Sequence, residues 1–191
     1  MPAPLISAGF ARRAAARALD MLLTGLIGGA LAAMLLLALG ADEGMLTRGV
    51  PDAGFDMWLA RTLMMITYHG VAESLGGATL GKLLFSLRVV GEDGLPISLS
   101  RGLTRNVWVL LDSILFGLVA YLFMRRSPQQ QRFGDQRAAT LVLHVADVPL
   151  ESRLRPAAIA HGVIVGLALA AAICALAILA ASGQGPTGPS A

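Results

Sequence analysis

Long apolar runs alternate with short polar stretches along this chain. Residues 19–39 are interrupted only by Asp20, Thr24 and glycines. Residues 57–75 are less clean, because they hold Arg61, His69 and Glu73. Residues 103–123 are apolar apart from Thr104, Arg105, Asn106, Asp112 and Ser113, and residues 157–181 are broken only by His161. A helix needs about 20 such residues to cross the hydrocarbon core of a bilayer. Each run therefore has the length of a membrane helix. The first is too long for the apolar region of a cleavable signal and no small-x-small site closes it, so it reads as a retained anchor.

Two stretches carry a strand pattern instead. Residues 87–90 (Leu-Arg-Val-Val) lead into Gly91-Glu92-Asp93-Gly94 and then 95–99, which predicts a hairpin around an acidic, glycine-bracketed turn. Pro96 marks its second strand as an edge or a late start. Residues 140–145 form a third β-type run. An isolated hairpin is marginal in water, so this third run is the one available support. The tail 182–191 is rich in Gly, Pro and Ser and predicts disorder.

Composition agrees with the pattern. Charged residues make up 14% of the chain, against about 25% in an ordinary soluble domain, and the mean hydropathy is +0.69. The net charge of +3 comes almost wholly from arginine, since Lys82 is the one lysine. The arginines flank apolar runs, which points to a positive-inside signal rather than to nucleic acid. A single cysteine, Cys174, excludes an internal disulfide framework and a Cys-based zinc site.

The charge rule also bears on topology. Arg12, Arg13 and Arg17 place the N-terminus inside, and the acidic loop 40–56 suits the outside. Lys82, Arg88 and Arg101 read inside again. A spanning third run would put Arg125, Arg126, Arg132, Arg137, Arg153 and Arg155 outside. A re-entrant third run keeps all six inside and lets 140–145 pair with 87–90. The re-entrant form is favoured, with the spanning form as the alternative. Such non-helical backbone requires packing against protein.

Ionisable residues at membrane depth are candidates for function. Arg13 and Asp20 are two helical turns apart on nearly one face, with Arg17 also within reach. The order Arg13, Leu19-Asp20, Gly25-Leu26 recurs as Arg105, Leu111-Asp112, Gly117-Leu118, which suggests an internal repeat. Asp20 and Asp112 then either face a shared site for a cation or proton, tuned by Arg13 and Arg105, or pair with arginine and lock the helices. His69 and Glu73, four apart, can relay a proton or form a hydrogen-bonded pair. Two such ligands make no metal site. Trp58, Trp108 and Tyr121 suit interfacial belts. The arginines of 125–137 flank the membrane and offer contacts to anionic headgroups. No P-loop, GxSxG or HExxH pattern occurs, so neither an enzyme nor a cofactor site is expected.

Three blocks resemble the RDD family of membrane proteins. The first runs from Ala8 through Arg13 to Asp20, the second is Thr79-Leu80-Gly81-Lys82 with Leu87-Arg88-Val89-Val90, and the third is Ser127-Pro128-Gln129-Gln130-Gln131-Arg132-Phe133-Gly134-Asp135 and onward to Thr140. The resemblance covers about residues 8–145. It implies that Arg13 is the family's arginine, Asp20 its first aspartate, and Asp135, ahead of Asp112, its second. It departs at Gln129–Gln131, where basic residues are usual, and at Ala138-Ala139-Thr140, where the family has Ala-Gly-Thr. The resemblance implies a bacterial-type cytoplasmic membrane and, for some members, cation/proton exchange.

The expectation is an all-α integral membrane bundle. It has three transmembrane helices, a third-in-order apolar segment that re-enters or spans, and a small cytoplasmic β element. An RDD-like domain (8–145), a linker (146–156), an added helix (157–181) and the tail (182–191) follow in order. Its partners are the lipid bilayer and a cation or proton, and so few helices leave room for a homo-oligomer. The function expected is transport-related, or else that of a non-transporting accessory or scaffold protein.

Overall fold

The computed structural model describes residues 5–38, 40, 54–112, 114–152 and 155–182. Residues 41–53, which hold most of the expected acidic first loop and Arg48, lie outside the described residues, as do Arg153 and the tail from 183 onward; Asp56, expected in that loop, falls in the helix Gly54–Gly76.

Three long helices carry the apolar runs. Helix α1 spans Phe10–Ala38, α2 spans Gly54–Gly76 and the last helix, α8, spans Pro156–Ser182. The first begins nine residues before its apolar run, so Arg12, Arg13 and Arg17 are helical. In α8 the stretch Pro156–Ala177 is long and apolar enough to cross a membrane, and among the described residues it is the one helix that is so on these grounds alone.

Small residues fix how α8 meets α2. Gly162 and Gly166 stand four apart and present one face. A Cβ on Gly162 would lie 2.6 Å from the Gly76 nitrogen, and one on Gly166 would lie 3.0 Å from the Tyr68 carbonyl oxygen. The backbones approach as in small-xxx-small packing, where van der Waals contact replaces the hydrophobic effect that lipid cannot supply. Tyr68, Ala72 and Ala170 fill the contact.

The third apolar run is broken. It folds as α4 (Leu99–Val107), α5 (Val109–Asp112), a 3-10 turn (Ile114–Gly117) and α6 (Leu118–Arg126). Leu115 and Gly117 both have positive φ, at 53° and 88°, so the chain reverses its winding there. A nine-residue helix is about 14 Å long, under half of the hydrocarbon thickness. A continuous spanning helix over 103–123 is therefore corrected. The expected internal repeat falls with it: α1 runs unbroken from Arg13 through Asp20, whereas the helix between Arg105 and Asp112 is interrupted at Trp108.

The β element is also corrected in part. Strand β1 (Leu87–Gly91) pairs antiparallel with β2 (Thr140–His144), with Val89 opposite Val142 and Gly91 opposite Thr140. Residues 95–99 form no strand. The Leu95 carbonyl accepts once, from Gly91 N–H at 2.8 Å. Pro96 then has no N–H to continue a ladder, and Ser98 caps α4 by accepting from the Arg101 backbone N–H. The expected hairpin is therefore absent, and the third run is the strand that pairs with β1. The N-terminal arm braces the pair: Ala8 N–H donates to the Val142 carbonyl at 2.6 Å, and Ser7 Oγ accepts from Val142 N–H at 3.2 Å. One face of the pair buries Leu87, Val89 and Val142 against Ala8, Ala16 and Ile97. The other buries Val90, Leu141 and Leu143 against Leu5 and Val148.

Large apolar side chains stay exposed along the long helices, including Met21, Leu22, Leu26 and Met34 on α1, Phe55, Trp58 and Leu63 on α2, and Ile164, Leu169 and Leu176 on α8. A soluble monomer rarely exposes so much contiguous apolar surface. A bilayer covers such a surface without cost.

Two substitutions test the packing. Gly162→Leu forces α8 away from α2 and is expected to destabilise the protein by about 1–3 kcal/mol, the usual effect of overpacking. Ile164→Ala, on the exposed side, is expected to stay within about 0.5 kcal/mol of the parent. Denaturant unfolding in detergent micelles reads both.

Candidate functional site

The buried polar residues gather at the N-terminal end of α1, in two adjoining sites. Asp20 is fully buried and forms the first. The short helix α3 (Leu80–Leu84) starts directly beside it, with Thr79 as its N-cap. Thr79 Oγ1 donates to Asp20 Oδ2 at 2.6 Å. Gly81 N–H donates to Oδ1 at 2.8 Å, and the Tyr68 hydroxyl donates to the same oxygen at 3.3 Å. Tyr68 in turn accepts from Leu80 N–H at 3.0 Å. A Cβ on Gly81 would sit 2.1 Å from the Ala16 carbonyl oxygen, so only glycine lets α3 come this close to α1. Neutral donors, not arginines, thus hold the Asp20 carboxylate.

The second site is ionic. Glu73 on α2 receives Lys82 Nζ at 2.7 Å, Arg105 Nε at 3.3 Å and Asn106 Nδ2 at 2.8 Å. Arg105 reaches onward, its Nη2 lying 3.0 Å from Asp135 Oδ1. Asp135 sits in α7 (Phe133–Arg137) and also pairs with Arg13 from α1 and with Arg132 at 3.3 Å. Its Oδ2 accepts the Arg132 backbone N–H at 3.1 Å, so the carboxylate caps its own helix. Arg13 additionally donates to the Gln130 carbonyl at 3.2 Å. Arg105 is fully buried and links α4 to both α2 and α7.

Glycines again set the approach. A Cβ on Gly134 would lie 2.5 Å from the Arg105 carbonyl oxygen, and one on Gly102 would lie 2.5 Å from that of Gly70. These contacts bring α7 onto α4 and α4 onto α2.

The electrostatics follow from these partners. Burial alone would raise the Asp135 pKa. The guanidinium groups of Arg13, Arg132 and Arg105 outweigh it and hold the carboxyl well below the usual carboxylate range. Burial would lower the Arg132 pKa, but Asp135 and Asp112 outweigh it and raise it above the ordinary arginine value.

Each residue singled out from the sequence has a place here. Arg13, Arg105, Asp135, His69 and Glu73 converge on one network, but the pairings differ from those expected. Neither Arg13 nor Arg17 forms an ion pair with Asp20 among the described residues; Arg13 meets Asp135 instead. Arg105 meets Glu73 and Asp135 rather than Asp112. Asp112 faces Arg132 at 3.5 Å. Asp20 and Asp112 therefore occupy separate surroundings, not a shared site. The physical reason is chain reversal at α3 and α7, which delivers partners from distant segments to positions that spacing along one helix cannot reveal. His69 Nδ1 lies 3.8 Å from Glu73 Oε1, within ion-pair range but beyond a hydrogen bond. Among the described residues no group of His, Cys, Asp and Glu is arranged to hold a metal.

Sequence reasoning missed Tyr68, Thr79, Asn106 and Lys82 as partners. The Thr79-Leu80-Gly81-Lys82 block carried the signal: a cap residue, a glycine and a cation beside two buried carboxylates. His144 is half-buried, with both ring nitrogens 3.2 Å from Arg12 Nη1. Trp108 packs edge-on against Phe133, with centroids 4.9 Å apart.

A comparison with protein families matches the RDD family over residues 7–139. That span covers both buried sites and β1 and stops just before β2, and the chain belongs to the RDD family. No curated protein and no solved structure matches it.

Removing the Asp135 charge tests the ionic site. Asp135→Asn leaves two buried guanidinium groups, Arg13 and Arg105, and the part-buried Arg132 short of their counter-ion and is expected to cost about 3–5 kcal/mol. Because the folded carboxyl has a depressed pKa, its contribution is fully present above the unfolded value of about 3.9 and fades as pH falls below it. The stability gap between the two proteins should therefore be flat from pH 5 to 8 and shrink below pH 4 in unfolding titrations.

Proposed function

We propose that this RDD protein is a non-transporting accessory or scaffold protein of a bacterial-type cytoplasmic membrane, whose buried Arg–Asp pairs hold its architecture. In this arrangement α1, α2 and α8 span the bilayer, the N-terminus is cytoplasmic, and the broken α4–α6 segment enters from the cytoplasmic side and returns. The β pair and the ionic site then share that side with the arginine-rich segments.

One observation carries the proposal. Both Asp20 oxygens already accept hydrogen bonds, and Asp135 faces three guanidinium groups. A cation would have to displace neutral donors at the first and cations at the second. Asp20 accepts three hydrogen bonds out of about four that a carboxylate can take, which leaves a cation far fewer oxygen lone pairs than coordination needs.

A second reading, proton or cation movement, has a narrower basis. Both carboxylate oxygens of Asp112 and both ring nitrogens of His69 lack hydrogen bonds within the described structure. Buried polar atoms that lack hydrogen bonds, even beside an ionic neighbour, are candidates for functional chemistry.

Purified protein in sealed liposomes under imposed pH and sodium gradients separates the two. The expected outcome is no dissipation of either gradient, with Asp20→Asn lowering stability and leaving flux at background. Flux that vanishes in Asp112→Asn while the fold is kept would establish the second reading instead.

A further inference from the structure

An apolar cleft of about 370 Å³ opens beside the N-terminus of α1, lined by Phe10, Leu115, Gly117, Leu118 and Tyr121. The break in the third apolar run creates it. Leu115 and Gly117, with positive φ, turn the chain so that α6 leaves a gap against α1 instead of packing along it. Phe10 and Tyr121 meet edge-on across one wall, with centroids 5.4 Å apart.

The charged end of α6 stands over the cleft. The Arg125 guanidinium lies 5.9 Å from the centre of the Tyr121 ring, which ties it to the cleft wall. Arg126 follows it, and both side chains are exposed. Cations suit the last turn of a helix through its dipole. That accounts for their position but not for a counter-ion, and among the described residues no carboxylate forms an ion pair with either. The contrast with Arg13, Arg105 and Arg132 is plain, since each of those has a carboxylate partner.

From this juxtaposition we propose that the cleft is a binding site for an anionic phospholipid. An acyl chain lies between Phe10, Leu118 and Tyr121, and the phosphate meets Arg125 and Arg126. The two arginines supply the charge that the cleft's own lining lacks, and the apolar lining supplies what a free phosphate cannot use. The proposal rests on the membrane setting of the preceding section.

The test uses the full chain, purified in neutral detergent and exchanged into nanodiscs of phosphatidylcholine with or without phosphatidylglycerol. Native mass spectrometry then counts retained lipid. Each arginine near an anionic headgroup contributes about 1 kcal/mol, so the pair predicts a preference of about 30-fold for phosphatidylglycerol. Arg125→Gln with Arg126→Gln should abolish that preference while leaving the melting temperature in phosphatidylcholine unchanged. Leu118→Trp, which fills the cleft, should lower retention of the anionic lipid with both arginines intact. Equal retention of the two lipids by the parent, or an undiminished preference in the double variant, overturns the proposal. So does full competition by soluble glycerol phosphate, which has no acyl chain. A chain that fails to enter any bilayer would instead overturn the membrane reading, and flotation of the same samples distinguishes that failure.

Discussion

A carboxylate that leaves water must find compensating charge, and Asp135 is where this protein meets that demand most severely. Each buried ion costs several kcal/mol in desolvation even after relaxation. Asp135 is fully buried, and it is tolerable only because Arg13, Arg105 and Arg132 arrive from α1, α4 and the start of α7. Three segments far apart in sequence must therefore meet at one point. Much of the remaining architecture is a condition for that meeting. Gly134 admits α7 to α4, and the Gly70–Gly102 contact admits α4 to α2.

The same logic extends to Glu73, which ties α2 to the network through Arg105 and to α3 through Lys82. Asp20 completes the set by a different route, with hydroxyl and backbone donors in place of cations. The result is one end of the helices where charges specify geometry and small residues at the same level, Gly76 with Gly162 and Gly70 with Gly102, let the backbones close around them. A buried ion pair is weak evidence of net stability, and its best-attested use is to fix one arrangement among several. The accessory reading draws on this: a carboxylate engaged by three arginines is a fastener before it is a carrier.

The apolar runs made the long helices legible, because a run of about 20 apolar residues is longer than any strand and leaves an unbroken hydropathy signal. The break at 103–123 was legible only through the arginines beyond it, since leucine-rich sequence looks the same whether the helix runs straight or turns at Leu115 and Gly117. Pro96 argues for an edge or a late start to a strand at 95–99; the missing N–H and the helix cap at Ser98 leave no strand there at all. At the site, the participants were legible but the partners were not. Arg13 and Asp20 share a helix face by spacing, and helical spacing is local. The pairing of Arg13 with Asp135 crosses 122 positions and depends on two chain reversals that no periodicity encodes.

That separation has a consequence for how the protein is made. At about 5–20 residues per second, Asp135 follows Arg13 from the ribosome by roughly 6 to 24 s. Throughout that interval the leading helix holds an arginine whose carboxylate does not yet exist. The Arg13–Asp135 pair can close only once α7 has been made, and α1, α2 and α4 stand without that fastener until then.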